Sequence, residues 1–391
     1  MKYKPSKTFY IFVFSIPSLI LLLSIADYCL LLAENKINSI YQKIKSLVEK
    51  NSIIFSLCLI VISSSLIYLT YKIICKKYYN LHEKNVILVD YYTVNKQWDK
   101  AYEIALQDNS YDYFENINFN RCVYNSGRFG RSFFIYPQLL GSDALFPDKI
   151  PAGQIALLSS DFYYELGYVS EALHWAYEAQ SSLPYSIRVL ERLTLVHLIE
   201  GRYDAAKTYI DILKDAYYTN DFVNKYSNYL KDTALISKDP EIQEKRQFMP
   251  HNFYTPSLSF QKFILLINVN PNNKRATEYL AMHYLLEHQI GNFIKIYDKL
   301  KDIYSDKIPH IYEHAITLYL LKTKNYDFKK YNIGKNSIEQ VMDYYKTISQ
   351  FSKKEAAYEI LTKKYAGSYL YYLTYESPLV TKMTLKSRAV E

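Results

Sequence analysis

Leu166-Gly167-Tyr168-Val169-Ser170-Glu171-Ala172 is matched 34 residues later by Glu200-Gly201-Arg202-Tyr203-Asp204-Ala205-Ala206. In each stretch a glycine is followed two positions on by a bulky side chain, and three beyond that by alanine. Glycine accepts the left-handed backbone that ends one helix, and alanine lets the next helix approach closely. The period predicts helix pairs stacked in register, each pair burying its apolar face against the next.

The frame extends upstream. Lys96-Gln97-Trp98 with Ala101 carries it with lysine in the glycine slot, and Gly127-Arg128-Phe129 carries it with Ser132 for alanine. The slots fall at 96, 127, 167 and 201, with an insertion around Pro147–Pro151 inside the longest spacing. Four tetratricopeptide-like units are thus expected over residues 81–235. Residues 236–375 read as degenerate helical repeats. Pro240, Pro250 and Pro256 suggest an irregular connection. An apolar helix from Phe260 stops at Asn270-Pro271-Asn272-Asn273, and Tyr284-Leu285-Leu286 recurs 35 residues later as Tyr319-Leu320-Leu321. Helices are expected over 338–351 and 354–372, with a loose tail at 376–391. The fold class expected is all-α: two N-terminal transmembrane helices and then an α-solenoid.

The membrane assignment rests on two apolar runs, at about 9–33 and 53–74, each long enough to cross about 30 Å of hydrocarbon. Residues 35–50 place Ile37, Ile40, Ile44 and Leu47 on one face and suggest an interfacial helix. Ser24-Ile25-Ala26 also allows the first run to be read as a cleaved signal. Either reading returns the downstream domain to the cytoplasmic side of a bacterial inner membrane. Lysine counts support that side weakly: four in the loop between the runs against seven on the outer flanks. Of the net charge of +8, residues 1–80 carry +7, from ten lysines against Asp27, Glu34 and Glu49. The remainder is close to neutral, which argues against a nucleic-acid partner. Cys29, Cys58, Cys75 and Cys122 have neither disulfide nor zinc spacing. The 43 tyrosines are spread along the chain and read as helix–helix filling.

Several stretches resemble, in order, a bacterial family of uncharacterised multi-pass membrane proteins with a tetratricopeptide-like C-terminal region. They are Val89-Asp90-Tyr91-Tyr92 with Lys96-Gln97-Trp98-Asp99-Lys100, Phe162-Tyr163 with Leu166-Gly167, and Pro271 with Asn273, Ala276 and Glu278-Tyr279-Leu280. Further on come Pro309 with Tyr312-Glu313-His314-Ala315, and Tyr365 with Ser368-Tyr369 and Tyr371-Tyr372. The resemblance implies architecture and no activity. This chain has room for two spans where such proteins usually carry many, which points to a shortened paralogue or a separately encoded membrane partner.

Motifs for chemistry are sparse. His310-Ile311-Tyr312-Glu313-His314 matches the inverted zincin pattern, with Glu355, Glu359 and Glu376 as the nearest third ligands. Pro309 puts His310 in the first helical turn, so a solvated helix face is the better reading, and neither a metal nor a cofactor is expected. His283 and His288 are five apart and share no face. Arg128-Phe129-Gly130-Arg131 lacks a Walker glycine–lysine pair and a preceding strand, so it reads as a turn.

Binding is therefore expected rather than catalysis: a membrane-anchored scaffold for protein–protein interaction or, alternatively, a non-catalytic or regulatory subunit of an envelope membrane enzyme or transporter complex, beside a multi-pass membrane partner. Counting back from Gly167 and Gly201 assigns a concave groove. It comprises Gln154, Leu157, Asp161, Tyr164 and Glu165 in one unit, and Arg188, Glu191, Leu195 and Leu198 in the next. Apolar anchors with charges of both signs suit a protein or peptide segment. The competing reading is that the block after Pro240 curls back and fills the groove.

Overall fold

A computed structural model describes Ser24, Ser46 and residues 52–107, 110–149, 155–250, 256–304 and 307–380. The expected first span, the interfacial helix at 35–50, groove residue Gln154 and the end of the tail lie outside the described residues. Every described element is helical, so the fold is all-α. The chain divides into Met1–Glu83 and Lys84–Glu391.

In the first unit, α1 (Ser52–Tyr78) contains Ser56–Tyr78, a stretch long and apolar enough by length and composition to cross a membrane. Lys76 and Lys77 sit in its last turn.

The second unit takes in α2 (Leu81–Val94) from Lys84 onward, then α3 (Trp98–Ala105), α4 (Tyr113–Asn125) and α5 (Phe129–Ser132). Next come α6 (Ile155–Leu166), α7 (Val169–Ser182), α8 (Ile187–Ile199), α9 (Tyr203–Leu213), α10 (Asn220–Lys231), α11 (Ala234–Lys238) and α12 (Pro240–Phe248). The last part holds α13 (Ser259–Val269), α14 (Lys274–Leu286), α15 (Ile290–Lys295), α16 (Tyr297–Ile303), α17 (His310–Lys322), α18 (Lys335–Ser349), α19 (Tyr358–Tyr365) and α20 (Tyr369–Tyr371).

One turn recurs throughout. Residues 96, 127, 167, 201, 288 and 324 all have φ between +56° and +81°, directly after a helix. Each is followed by the same hydrogen bond back across the helix end: Gln97 to Tyr92, Arg128 to Val123, Tyr168 to Tyr163, Arg202 to His197, Gln289 to Tyr284 and Asn325 to Leu320, all at 2.7–2.9 Å. This is the Schellman pairing, which satisfies carbonyls the helix end leaves free. The frame legible at Gly167 and Gly201 therefore extends to His288 and Lys324, where no glycine marks it. It also corrects the register of the later match: Tyr284 corresponds to Leu320, 36 residues on, and not to Tyr319.

Ala172 and Ala206 are fully buried where the second helix of each pair meets the first. α6 packs on α7, α7 on α8 and α8 on α9. A continuous buried cluster runs from Val89 to Tyr372, and tyrosine supplies much of it. The Tyr279 ring on α14 lies 4.8 Å from Phe129 and 5.4 Å from Phe162, so one side chain ties the later block to the earlier one. The stretch expected to be irregular after Pro240 begins as a helix. Asp239 caps α12 by accepting from Ile242 N, and Pro240 takes the first helical position, where its missing N–H costs nothing.

Candidate functional site

The helix preceding each left-handed turn presents a recurring wall. Six residues before the turn stand Asp90, Arg121, Asp161 and Leu195, and three before it stand Thr93, Tyr124, Tyr164 and Leu198. Most of these surround a cavity of about 820 Å³, bounded further by Phe222 and Tyr226 of α10, by α12 and by the start of α14.

The wall is a ladder of opposite charges. The Arg121 guanidinium, almost fully buried, meets Glu165 at 2.6 Å and Asp161 at 3.8 Å, and donates to Asn118 Oδ1 at 2.7 Å. Arg188 bridges Asp161 and Asp90, the latter at 2.7 Å. Arg192 reaches Asp161 Oδ1 at 2.8 Å and lies 3.7 Å above the Tyr164 ring. Arg275, in the first turn of α14, pairs with Glu165, donates to Asn125 Oδ1 at 2.6 Å and covers the Tyr124 ring at 4.3 Å. Asn273 positions Arg275: its side chain caps Ala276 N and donates to the Leu166 carbonyl at the end of α6.

Burial alone would push both carboxyl groups toward the neutral form. Arg188, Arg192 and Arg121 reverse this at Asp161, which lies well below the usual carboxylate range. Arg121 and Arg275 do the same at Glu165, holding it at about 2. Burial likewise opposes the Arg121 charge, and Glu165 and Asp161 overcome it, so the guanidinium pKa is raised. Glu191 differs: burial raises it and only Arg192 opposes.

α12 crosses the wall. Tyr164 donates to Glu241 Oε1 at 2.9 Å, and Lys245 Nζ to the Glu165 carbonyl at 3.2 Å. Arg246 donates to the last carbonyls of α8, Ile199 at 2.9 Å and Leu198 at 3.0 Å. Of the residues assigned to a groove from sequence, Asp161, Tyr164, Glu165, Arg188, Glu191 and Leu195 line this cavity. Leu198 does not: it is fully buried in the core where α12 covers the end of α8. Leu157 packs outside the cavity, against the cluster of Ala156, Ala176 and Leu193.

Sequence reading missed Asp90, Arg121, Tyr124, Arg192 and Arg275. Two signals were available. Counting back six and three residues from Lys96 and Gly127, as from the two glycines, gives Asp90, Arg121 and Tyr124. The chain also uses 38 lysines and only nine arginines, four of which line this cavity. A chain that defaults to lysine places arginine where a planar, multi-donor cation is required.

His310 and His314 sit on a buried helix, not a solvated face. Their ring centroids are 5.6 Å apart. Glu313 is fully occupied in holding the start of α18, accepting from Gly334 N at 2.9 Å and from Ser337 Oγ. His314 Nε2 is paired with Gln340 at 2.9 Å, and burial lowers its pKa to about 4. Among the described residues no group of three His, Cys, Asp or Glu is placed to hold a metal ion. His283 stacks on Phe260, at 4.9 Å between centroids, and is likewise pushed down to about 4 by burial. Gly130 fits tightly against Pro309, where a Cβ would approach to 2.6 Å, which makes the 128–131 stretch a packing joint.

The chain belongs to the family of unknown function DUF6057, whose model matches residues 1–376. No curated protein matches it.

Proposed function

We propose that the chain is a membrane-anchored, tetratricopeptide-like protein that binds a partner on the concave wall of its first four helix pairs and so acts as an interaction scaffold. The observation that carries this is the open cavity where the first helices converge. A purely structural solenoid would fill that wall with apolar side chains, whereas here it holds ordered charges and aromatic rings around a volume in the range of ligand sites. Binding fits better than acid–base chemistry, because Asp161 and Glu165 are held ionised by arginines and cannot exchange protons near neutrality.

The apolar α1, with the run at 9–33, would hold the protein in a bacterial inner membrane, with residues 82–391 on the cytoplasmic side. Labelling of a cysteine engineered near residue 240 by a membrane-impermeant reagent tests the side; efficient labelling in cells with an opened outer envelope contradicts it.

Binding is tested by capture from detergent with the full chain. Leu195→Trp should crowd the wall and abolish recovery of the partner while the melting temperature moves little. Undiminished recovery would remove the wall from consideration. A stoichiometric multi-pass partner among the captured proteins would favour the regulatory-subunit form of the same reading.

A further inference from the structure

The cavity carries an excess of cation that its own carboxylates do not use. Asp161 and Glu165 are each held by two or more guanidinium groups, and Glu241 and Glu244 receive Tyr164 and Lys245. On the cationic side, Lys96 and Lys274 at the rim form no ion pair among the described residues. Arg192 is the decisive group. Its Nη2 donates to Asp161, while its Nε and Nη1 are buried with no hydrogen-bond partner among the described residues. The Tyr164 ring beneath the guanidinium favours rotation within its plane over tilting out of it. A buried cation with idle donors calls for an acceptor, and a charged acceptor satisfies it best.

From this we infer that the cavity takes an oxyanion, carboxylate or phosphate, received by the Arg192 guanidinium as its buried Nε and Nη1 edge turns toward the cavity over the Tyr164 ring, and drawn in by Lys96 and Lys274. The inference rests on the reading of this wall as a binding site and names the chemistry of its ligand. The anion comes either from a free small acid or from acidic side chains on a partner segment. Glu191, beside Arg192, and Glu241, which accepts only from the Tyr164 hydroxyl, line the cavity with no ion pair among the described residues, and Glu191 is the one adjacent to Arg192 that opposes the ligand. It limits affinity for anions and excludes weakly charged ones.

Trp98 lines the cavity and Trp175 does not, so the full chain in detergent with Trp175→Phe reports occupancy by fluorescence. Citrate, inorganic pyrophosphate and tetraglutamate are titrated, with tetralysine as the control. At least one oxyanion probe should give a saturable change and tetralysine none. Arg192→Gln should weaken that binding at least tenfold and Glu191→Gln should tighten it severalfold, while Arg192→Lys, which keeps a cation beside Asp161, should fall between and separates lost binding from lost stability. Saturation by citrate or pyrophosphate assigns the oxyanion to a free ligand, and saturation by tetraglutamate alone assigns it to a partner segment. No saturation by any oxyanion, or equal affinity in Arg192→Gln, overturns the inference. If Leu195→Trp still blocks partner capture in that case, only the ligand chemistry is wrong. If capture survives Leu195→Trp, the binding wall itself is wrong.

Discussion

The wall before residue 201 and the block after residue 273 use the same turn and reach opposite results. In the first, the position six residues before each left-handed turn holds Asp90, Arg121, Asp161 and Leu195. In the second, the turns at His288 and Lys324 have Met282 and Leu318 at that position, and Leu285 and Leu321 three before the turn. Met282 and Leu285 are fully buried. The face is closed over by the C-terminal tyrosines, Tyr369 donating to the Leu285 carbonyl at 3.4 Å and Tyr372 to the Leu286 carbonyl at 3.3 Å. Backbone geometry alone does not make a groove. The side chains at two positions per helix decide whether a concave face stays open or becomes core.

Breaking each face tests this most directly. Arg121→Ala leaves Asp161 and Glu165 short of a buried counter-charge and should cost about 3–5 kcal/mol. Leu285→Ala leaves a void and should cost about 2–5 kcal/mol. Denaturant unfolding of the full chain in detergent measures both. The two losses look alike in size, but partner capture separates them. Variants of the first face that still fold should lose capture, whereas Leu285→Ala should keep it. A loss below about 1 kcal/mol for Arg121→Ala would mean that the charge ladder contributes nothing net.

Acid sharpens the contrast because the two regions respond with opposite sign. Glu165 is held at about 2 in the folded state against an ordinary 4.5, so its stabilisation is complete above pH 4.5 and is lost as pH falls toward 2. On the order of 1–3 kcal/mol should disappear across that window, and Glu165→Gln should flatten it. Glu278 in the later block, buried and accepting from Tyr304, is pushed up to about 7. A raised folded pKa gives stability that is present below pH 4.5 and lost as pH rises through 7. Glu278→Gln should therefore stabilise the protein at neutral pH and do little at pH 4. Denaturation curves at pH 3, 5 and 7 read both, and destabilisation by Glu278→Gln at neutral pH would refute the assignment.

The same comparison shows what was legible beforehand. The all-α class and the turns at 96, 127, 167 and 201 follow from glycine and alanine spacing, since a left-handed turn and a close helix contact each restrict residue type. The turns at His288 and Lys324 carry no such mark, because neither has glycine at the turn and Phe293 and Lys329 stand where the alanine of the frame would be. Six of the cavity residues follow from counting along two helices. Arg275 could not be found that way, because it arrives from 110 residues beyond its partner Glu165. Leu198 lies in the core rather than on the cavity, at the end of α8 where α12 packs, an outcome that counting back from Gly201 does not distinguish from a groove position.

The smallest expected effect isolates the turn from everything packed on it. Gly167 and Gly201 have nearly equal φ, +81° and +77°, but different surroundings. A Cβ on Gly201 would meet nothing within 4 Å, whereas one on Gly167 would come within 2.5 Å of the Phe248 Cβ on α12. Gly201→Ala should therefore show only the strain of a left-handed alanine, about 1 kcal/mol. Gly167→Ala adds a collision with the helix that crosses the cavity, so it should cost more and should also weaken partner capture, because displacing α12 disturbs the Tyr164–Glu241 and Lys245–Glu165 contacts. Equal losses in stability and unchanged capture for both variants would show that α12 yields freely at Phe248 and does not help to shape the wall.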